Sequence, residues 1–371
     1  MKFKFKRPLA IAMWDFSWLE RRWPGAGYED WDQALSELKA RGYDAVRIDA
    51  YPHLVAKDPK KLWTLRPEWS VQDWGSPALN RVQVQPHLNQ FLRKCRQHGI
   101  LVALSTWFRQ DADDLRMRIK TPAQMGQIWK RTLDSIADAG LLNGLLYVDL
   151  CNEFPVYPWT PFLYPKGPGS PELARREKKM QDWTRGSIDV VRRAYPQLDY
   201  CYSFCTQFDH VAEEAVDHYD LLEVHQWMAN TGKAEFYKEV GYNYERFSGE
   251  GYENVVLNAE RVYRRRPQHW KKQLATGIQG LAEWSRRSGL PLVTTECWGI
   301  VDYKDWPLLS WDWVKELCAF GSLEASRSGR WAAIATSNFC GPQFKGMWRD
   351  VAWHKRLTKA IHQGPLNFPQ A

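Results

Sequence analysis

The chain has 371 residues, enough for one large core, and its 44% hydrophobic and 25% charged residues are the balance of a folded protein, not a disordered one. The net charge of +8 comes from basic residues interleaved with acidic ones, as in Glu172-Leu173-Ala174-Arg175-Arg176-Glu177-Lys178-Lys179; even the densest run, Arg264-Arg265-Arg266, reads as a solvated helix end, which argues against nucleic acid as a partner. No run approaches a membrane span, and the seven cysteines form no CxxC zinc pair and are expected to be reduced thiols, as in the cytoplasm.

Along the chain, apolar strand-like runs alternate with amphipathic helices. Leu9 to Trp14 is too short for a secretory core, lacks a small-residue cleavage site and reads as a first strand. A helix from Asp30 to Arg41, stopped by Gly42, leads to a second strand over Tyr43 to Tyr51. A helix from Pro86 to His98, stopped by Gly99, precedes a third strand from Ile100 to Trp107. Helix Pro122 to Ala139 precedes a fourth strand, Leu145 to Cys151, and a long helix from Pro171 to Tyr195 precedes a fifth, Leu198 to Phe204. Only a short helix near His210 to Val216 separates this from Leu221 to Trp227. Helix Gln273 to Ser288, stopped by Gly289, leads to Leu292 to Glu296, and helix Trp311 to Ser328, stopped by Gly329, leads to Trp331 to Ser337.

Eight apolar strands separated mostly by helices predict a single (β/α)₈ barrel occupying residues 1–371, with no linker or repeat marking a second domain. Three segments that follow strands are long: His53 to Gln85 with Trp63, Trp69 and Trp74; Phe154 to Ser170 with Tyr157, Trp159 and Tyr164; and Met228 to Trp270. All leave the C-terminal ends of strands, where barrel enzymes carry their sites.

The most telling stretch is Tyr147-Val148-Asp149-Leu150-Cys151-Asn152-Glu153-Phe154-Pro155, an apolar strand that delivers a carboxylate to its tip. Pro291-Leu292-Val293-Thr294-Thr295-Glu296-Cys297-Trp298-Gly299 does the same. Two carboxyls on one rim are the minimum equipment for cleaving a glycosidic bond: one gives and takes the proton, the other attacks or activates water. The 21 tryptophans supply flat apolar faces suited to sugar rings, although most are expected in the core.

These motifs resemble glycoside hydrolase clan A, and within it the cellulase-like enzymes of family 5. The resemblance spans nearly the whole chain. It implies a retaining β-glycosidase with Glu153 as acid/base and Glu296 as nucleophile. It further implies that Asn152 binds the hydroxyl beside the reacting carbon, that Arg47 orients the nucleophile and that His225 lies near the cleft. Where the clan often carries His-x-Tyr on strand six, this chain reads His225-Gln226-Trp227; Ser105-Thr106-Trp107 replaces a frequent strand-three histidine, and Thr336-Ser337-Asn338 occupies the tip of strand eight, with Trp348 nearby. An altered substrate is therefore expected.

By position, Asp49 shares a strand face with Arg47, and Trp107, Trp227, Trp298 and Asn338 follow strands closely enough to line a sugar site. Asp149 is expected in a polar layer within the barrel, and His53 and Asp15 are weaker candidates. Arg47 should hold Glu296 at a low pKa, and burial should raise Glu153. No cofactor or metal is expected. Two other readings stay open: a metal-dependent barrel using Glu153, His225 and Glu296 as ligands, and a sugar-binding barrel without turnover. The partner expected is an oligosaccharide or glycoside, cleaved from one end in a pocket walled by the long loops.

Overall fold

The computed structural model describes residues 2, 4–69, 75–242 and 249–369; Trp74 lies outside them. Eight parallel strands form a ring: β1 (Leu9–Asp15), β2 (Ala45–Asp49), β3 (Leu101–Ser105), β4 (Leu145–Asp149), β5 (Tyr200–Cys201 and Ser203–Phe204), β6 (Leu222–Val224, continued by Gln226–Trp227), β7 (Leu292–Thr294, then Cys297–Trp298) and β8 (Trp331–Ala335). β1 pairs with both β2 and β8, through Ala12↔Val46 and Leu9↔Ala333. Closure happens within β5. Its first half pairs with β4 (Val148↔Tyr200) and its second half with β6 (Ser203↔Glu223), so the two ends of the sheet meet at Tyr202. The expected (β/α)₈ barrel is the observed fold.

Local chemistry explains most boundaries. Asp30 caps helix Trp31–Ala40 by accepting from the Gln33 amide, and Thr121 with Gln124 forms a capping box in front of Pro122–Asp138. Gly42, Gly99, Gly289 and Gly329, the four expected stops, all adopt left-handed φ values between 65° and 88°. The surrounding tryptophans are mostly core: the indole N–H groups of Trp14, Trp18, Trp129 and Trp270 each donate to a backbone carbonyl, which lets these large rings be buried without stranding a donor.

Departures from the sequence reading lie in the segments between strands. The fourth helix begins at Lys178, not Pro171. Glu172 is drawn off to Thr206 and Gln207, and Arg175 to Glu214, which pins this stretch to the tip of β5 instead of winding it. The segment from Met228 to Trp270 holds helices Thr231–Val240 and Gly249–Arg265, and the next helix starts already at Pro267. Within His53 to Gln85, Leu62–Leu65 and Asn80–Gln83 pair as an antiparallel ribbon. A helix at Val351–His362 follows β8. Among the described residues no helix is long and apolar enough to cross a membrane.

Candidate active site

The site is built around Arg47, which the middle of β2 delivers into the barrel with no exposed surface. A guanidinium has five N–H donors, and all five are engaged. Nε and Nη2 form a two-pronged pair with Asp15, at 2.9 and 2.8 Å. Nη2 also donates to Oε1 of Glu296. Nη1 donates to Oε1 of Glu223 at 3.0 Å and to Nε2 of His225 at 3.0 Å. Asp15 reaches this position because a register shift interrupts β1 between Met13 and Asp15 and leaves Asp15 at φ 29°.

Glu153 stands at the tip of β4 with φ 48°, a conformation that costs a residue with a side chain roughly 1–3 kcal/mol. Bonds on both sides hold it there: its own amide donates to Oγ of Ser203 at 2.8 Å, and the next amide, of Phe154, to the Ser203 carbonyl at 2.9 Å. The kink turns the carboxylate into the mouth of the barrel. Oε1 lies 3.0 Å from Nδ1 of His225, and Oε2 accepts from the indole of Trp159 at 3.2 Å. Glu296 arrives from β7 on the far side of His225, whose Nδ1 is 3.5 Å from Glu296 Oε1. One atom each of Glu153, His225 and Glu296 all lie within 4.8 Å of one another.

Electrostatics here reverse the sequence expectation. Burial, helped by repulsion from Glu153 and Asp15, pushes Glu296 up to about 8 in spite of His225 and Arg47 beside it. Burial would also raise Glu153, but donation from His225 and Trp159 holds it below the usual carboxylate range. The reason is stoichiometric. Arg47 does lie beside Glu296, but Asp15 and Glu223 share its charge; against burial, Arg47 holds Glu223 down to about 2. Of the two rim glutamates, Glu296 is therefore the one whose surroundings favour the protonated form, and Glu153 the one whose partners favour the charged form.

His225 is subject to two opposed influences. Burial disfavours a charged ring, and the carboxylates of Glu296, Glu153 and Glu223 more than offset it, pushing the ring up to about 10. Against this, a guanidinium N–H has no lone pair to receive a second proton, so the 3.0 Å contact from Arg47 makes Nε2 an acceptor. That contact fits a neutral ring with its proton on Nδ1, facing Glu153.

The remaining sequence candidates separate into those at the site and those elsewhere. Asn152 is fully buried beside Glu153, and neither polar atom of its side chain has a partner. Trp227 lies 5.8 Å, ring to ring, from His225, with an unpartnered indole nitrogen. Asn338 donates from Nδ2 to the Val301 carbonyl and leaves Oδ1 unpartnered. Trp107 packs against Trp159 and Trp69, with ring centroids 4.5 and 5.2 Å away, and so backs the ring that donates to Glu153. Asp49 is drawn away from Glu153 and Glu296: its two oxygens accept from the amides of Tyr51 and Trp107, tying β2 to β3. Asp149 fills a polar layer, accepting from Ser105 and Ser203. His53 bonds the Arg109 carbonyl. Trp348 stacks under Arg41 among the outer helices, 4.0 Å from ring centroid to guanidinium.

Trp298 is wholly buried, donates to the Ala335 carbonyl and packs so closely on Gly321 that a Cβ there would lie 2.6 Å from its ring. It is a core residue. Trp298→Ala should lower unfolding free energy by about 3–5 kcal/mol and leave KM for any substrate unchanged while the protein is folded; a KM defect without lost stability, in denaturation and kinetic assays, would contradict this placement.

Glu223 was missed, although the alternation Glu223-Val224-His225 puts both side chains on one strand face, and a carboxylate inside a barrel requires a cation. Thr295, which donates to Glu223 at 2.5 Å, was missed with it.

Comparison with known proteins shows the family and the fold. A family model described as cellulase-like and sugar-binding matches residues 11–362. A protein of known structure from Parabacteroides distasonis, described as a candidate glycoside hydrolase, is 53% identical over 97% of this chain and 95% of its own, with a TM-score of 0.95. Two more distant structures share the fold: an endo-1,4-β-D-mannanase from Thermotoga petrophila (10% identity, 88% of this chain and 87% of that one, TM-score 0.52) and a GH5_18 protein from Streptomyces cattleya in complex with GlcNAc (13%, 98% and 83%, TM-score 0.51). No curated protein matches the chain.

Proposed function

The chain belongs to the cellulase-like, sugar-binding family of barrel proteins, and from that membership we propose that it is a retaining β-glycosidase acting on a β-linked oligosaccharide or glycoside. The observation that carries the reading is the approach of one carboxyl oxygen of Glu153 to one of Glu296, within 4.8 Å, across the barrel mouth. Retaining enzymes hold their carboxyls about 5–5.5 Å apart, so that one can attack carbon directly; inverting enzymes need about 6.5–9.5 Å to seat a water between them. Glu296, fixed by Arg47, is the nucleophile. Glu153, whose neighbour Asn152 offers a free amide to a sugar hydroxyl, is the acid/base.

In the first step Glu153 protonates the departing oxygen while a Glu296 oxygen bonds the anomeric carbon. In the second, Glu153 takes a proton from water as it displaces Glu296. Glu153 must therefore carry a proton when cleavage begins, and Nδ1 of His225 lies 3.0 Å from Glu153 and 3.5 Å from Glu296, between the two. Sugars of the kind bound by the Streptomyces cattleya protein and the β-1,4-mannan cleaved by the Thermotoga petrophila enzyme are the first substrates to try.

The family's description as sugar-binding favours one other reading, binding without turnover. Glu153, His225 and Glu296 also present three atoms to a cation, but Arg47 already donates to two of these residues and repels any metal placed there. Aryl β-glycosides and β-linked oligosaccharides should be cleaved with the first-formed sugar in the β configuration by proton NMR, at a rate unchanged by a chelator. An α product would make the enzyme inverting, loss of activity on chelation would make it metal-dependent, and oligosaccharide binding with no cleavage would make it a lectin-like barrel.

A further inference from the structure

Glu223 has no part in the reaction just described, yet it is a fully buried carboxylate two residues from His225, in the interior of a barrel, where an ionised group persists only when its partners are well placed. Its partners are specific. Oε1 accepts from Arg47 Nη1 at 3.0 Å and from the Thr295 hydroxyl at 2.5 Å, and lies 3.6 Å from His225 Nε2. The groups facing His225 are then Arg47, Thr295 and Glu223 on the Nε2 side, Glu153 and Glu296 on the Nδ1 side, and the Trp227 ring across its edge.

This arrangement decides which proton His225 carries. A carboxylate within reach of Nε2 would ordinarily draw a proton onto that nitrogen. Here Glu223 is turned toward Arg47 and Thr295, and by holding Nη1 it aims that group's other N–H at Nε2. The last donor of Arg47 thus fills the position where a proton would otherwise sit. With Nε2 blocked as an acceptor, the ring's one proton is on Nδ1, between the two rim glutamates.

We propose that Glu223 is a positioning residue that acts through Arg47 to fix the tautomer of His225, and so aims the Nδ1 proton at Glu153. The proposal rests on the glycosidase reading for its effect on rate, and on hydrogen-bond geometry alone for the tautomer. Its test therefore has two arms. In the first, ¹⁵N-histidine protein is examined by long-range ¹H–¹⁵N NMR, with the His225 signal assigned by its loss in His225→Gln. Wild type should show Nδ1 protonated and Nε2 bare at neutral pH. An imidazolium, or a proton on Nε2 alone, overturns the proposal, as does the wild-type tautomer persisting unchanged in Glu223→Ala, and this arm needs no substrate.

In the second arm, Glu223→Ala should cut kcat about 10- to 100-fold, in the range lost when a supporting hydrogen-bond partner is removed. KM should change little, and the pH–rate profile should gain a new ionisation as His225 is freed. Glu223→Gln keeps an oxygen for Arg47 and Thr295 and should restore most of the rate and the original profile. A Gln variant as impaired as the Ala variant would show that charge, not acceptor position, matters, and would sink the proposal. Wild type that cleaves no glycoside would defeat the functional reading while the NMR arm still decides this one.

Discussion

Glu296→Gln should abolish cleavage of every glycoside the wild type accepts, by at least about 10⁴-fold, because an amide cannot form the glycosyl ester on which the second displacement depends. The fold should persist. Gln keeps the shape and an oxygen that can still accept from Arg47 Nη2, and the remaining four donors of Arg47 are untouched. The variant also has a stability signature. Folded Glu296 binds its proton up to about 8, against an ordinary value of 4.5. A carboxyl that protonates more readily folded than unfolded adds stability below its unfolded value and loses it as pH rises through the folded one. Gln has no such dependence. The variant should therefore gain on wild type between about pH 5 and about pH 8, by on the order of a few kcal/mol. Asp49 and Asp149, both raised to about 7 by burial, shift both proteins alike and cancel in the comparison. Urea denaturation at the two pH values measures this. A constant difference would mean that Glu296 is ionised throughout, as a private ion pair with Arg47 would have made it.

The barrel was legible because each strand is a short apolar run closed by a turn or helix signal, and burial on both faces leaves no other use for runs such as Leu145–Asp149. Asn152-Glu153 and Glu296 were legible for a related reason: a polar group at the end of an apolar strand has to emerge at the rim. What could not be read was the sharing of partners. Arg47 was visible as an ion-pair residue, but its division among Asp15, Glu223 and Glu296 depends on β1, β6 and β7 being brought together by closure of the ring, which no local pattern encodes. The pKa order of the two glutamates followed from that division and came out reversed. Trp298 shows the opposite limit. Its position just after Glu296 suggested a sugar platform, and only the closeness of Gly321, on the helix that follows its strand, shows that the ring points into the core. The helices within the Met228 to Trp270 segment were hidden by its Tyr, Asn and Gly content, although Gly249–Arg265 is plainly amphipathic once its bounds are known.

Glu153→Ala separates the two carboxyls by chemistry that Glu296→Gln cannot probe. Loss of a general acid costs about 10²–10⁴-fold on substrates whose leaving oxygen needs a proton. It should cost far less with a dinitrophenyl glycoside, whose leaving group departs as the anion. With such a substrate the first step still proceeds through Glu296, and the ester then accumulates, because no base remains to activate water. Azide needs no base. It should restore turnover and release a glycosyl azide of β configuration, since attack on the ester inverts the inversion already made. The anomer is the decisive readout. In the free protein burial favours the protonated form of Glu296, while His225 and Trp159 favour the charged form of Glu153, which on charge alone would cast Glu153 as the nucleophile. If that were so, azide would replace Glu153 directly at the sugar and the product would be the α-azide. A β-azide from Glu153→Ala, with none from Glu296→Gln, fixes the roles as assigned and requires that Glu153, whose partners favour its charged form in the free protein, gains a proton when a sugar binds. His225, within hydrogen-bond reach of Glu153 and 3.5 Å from Glu296, is the group placed to carry it.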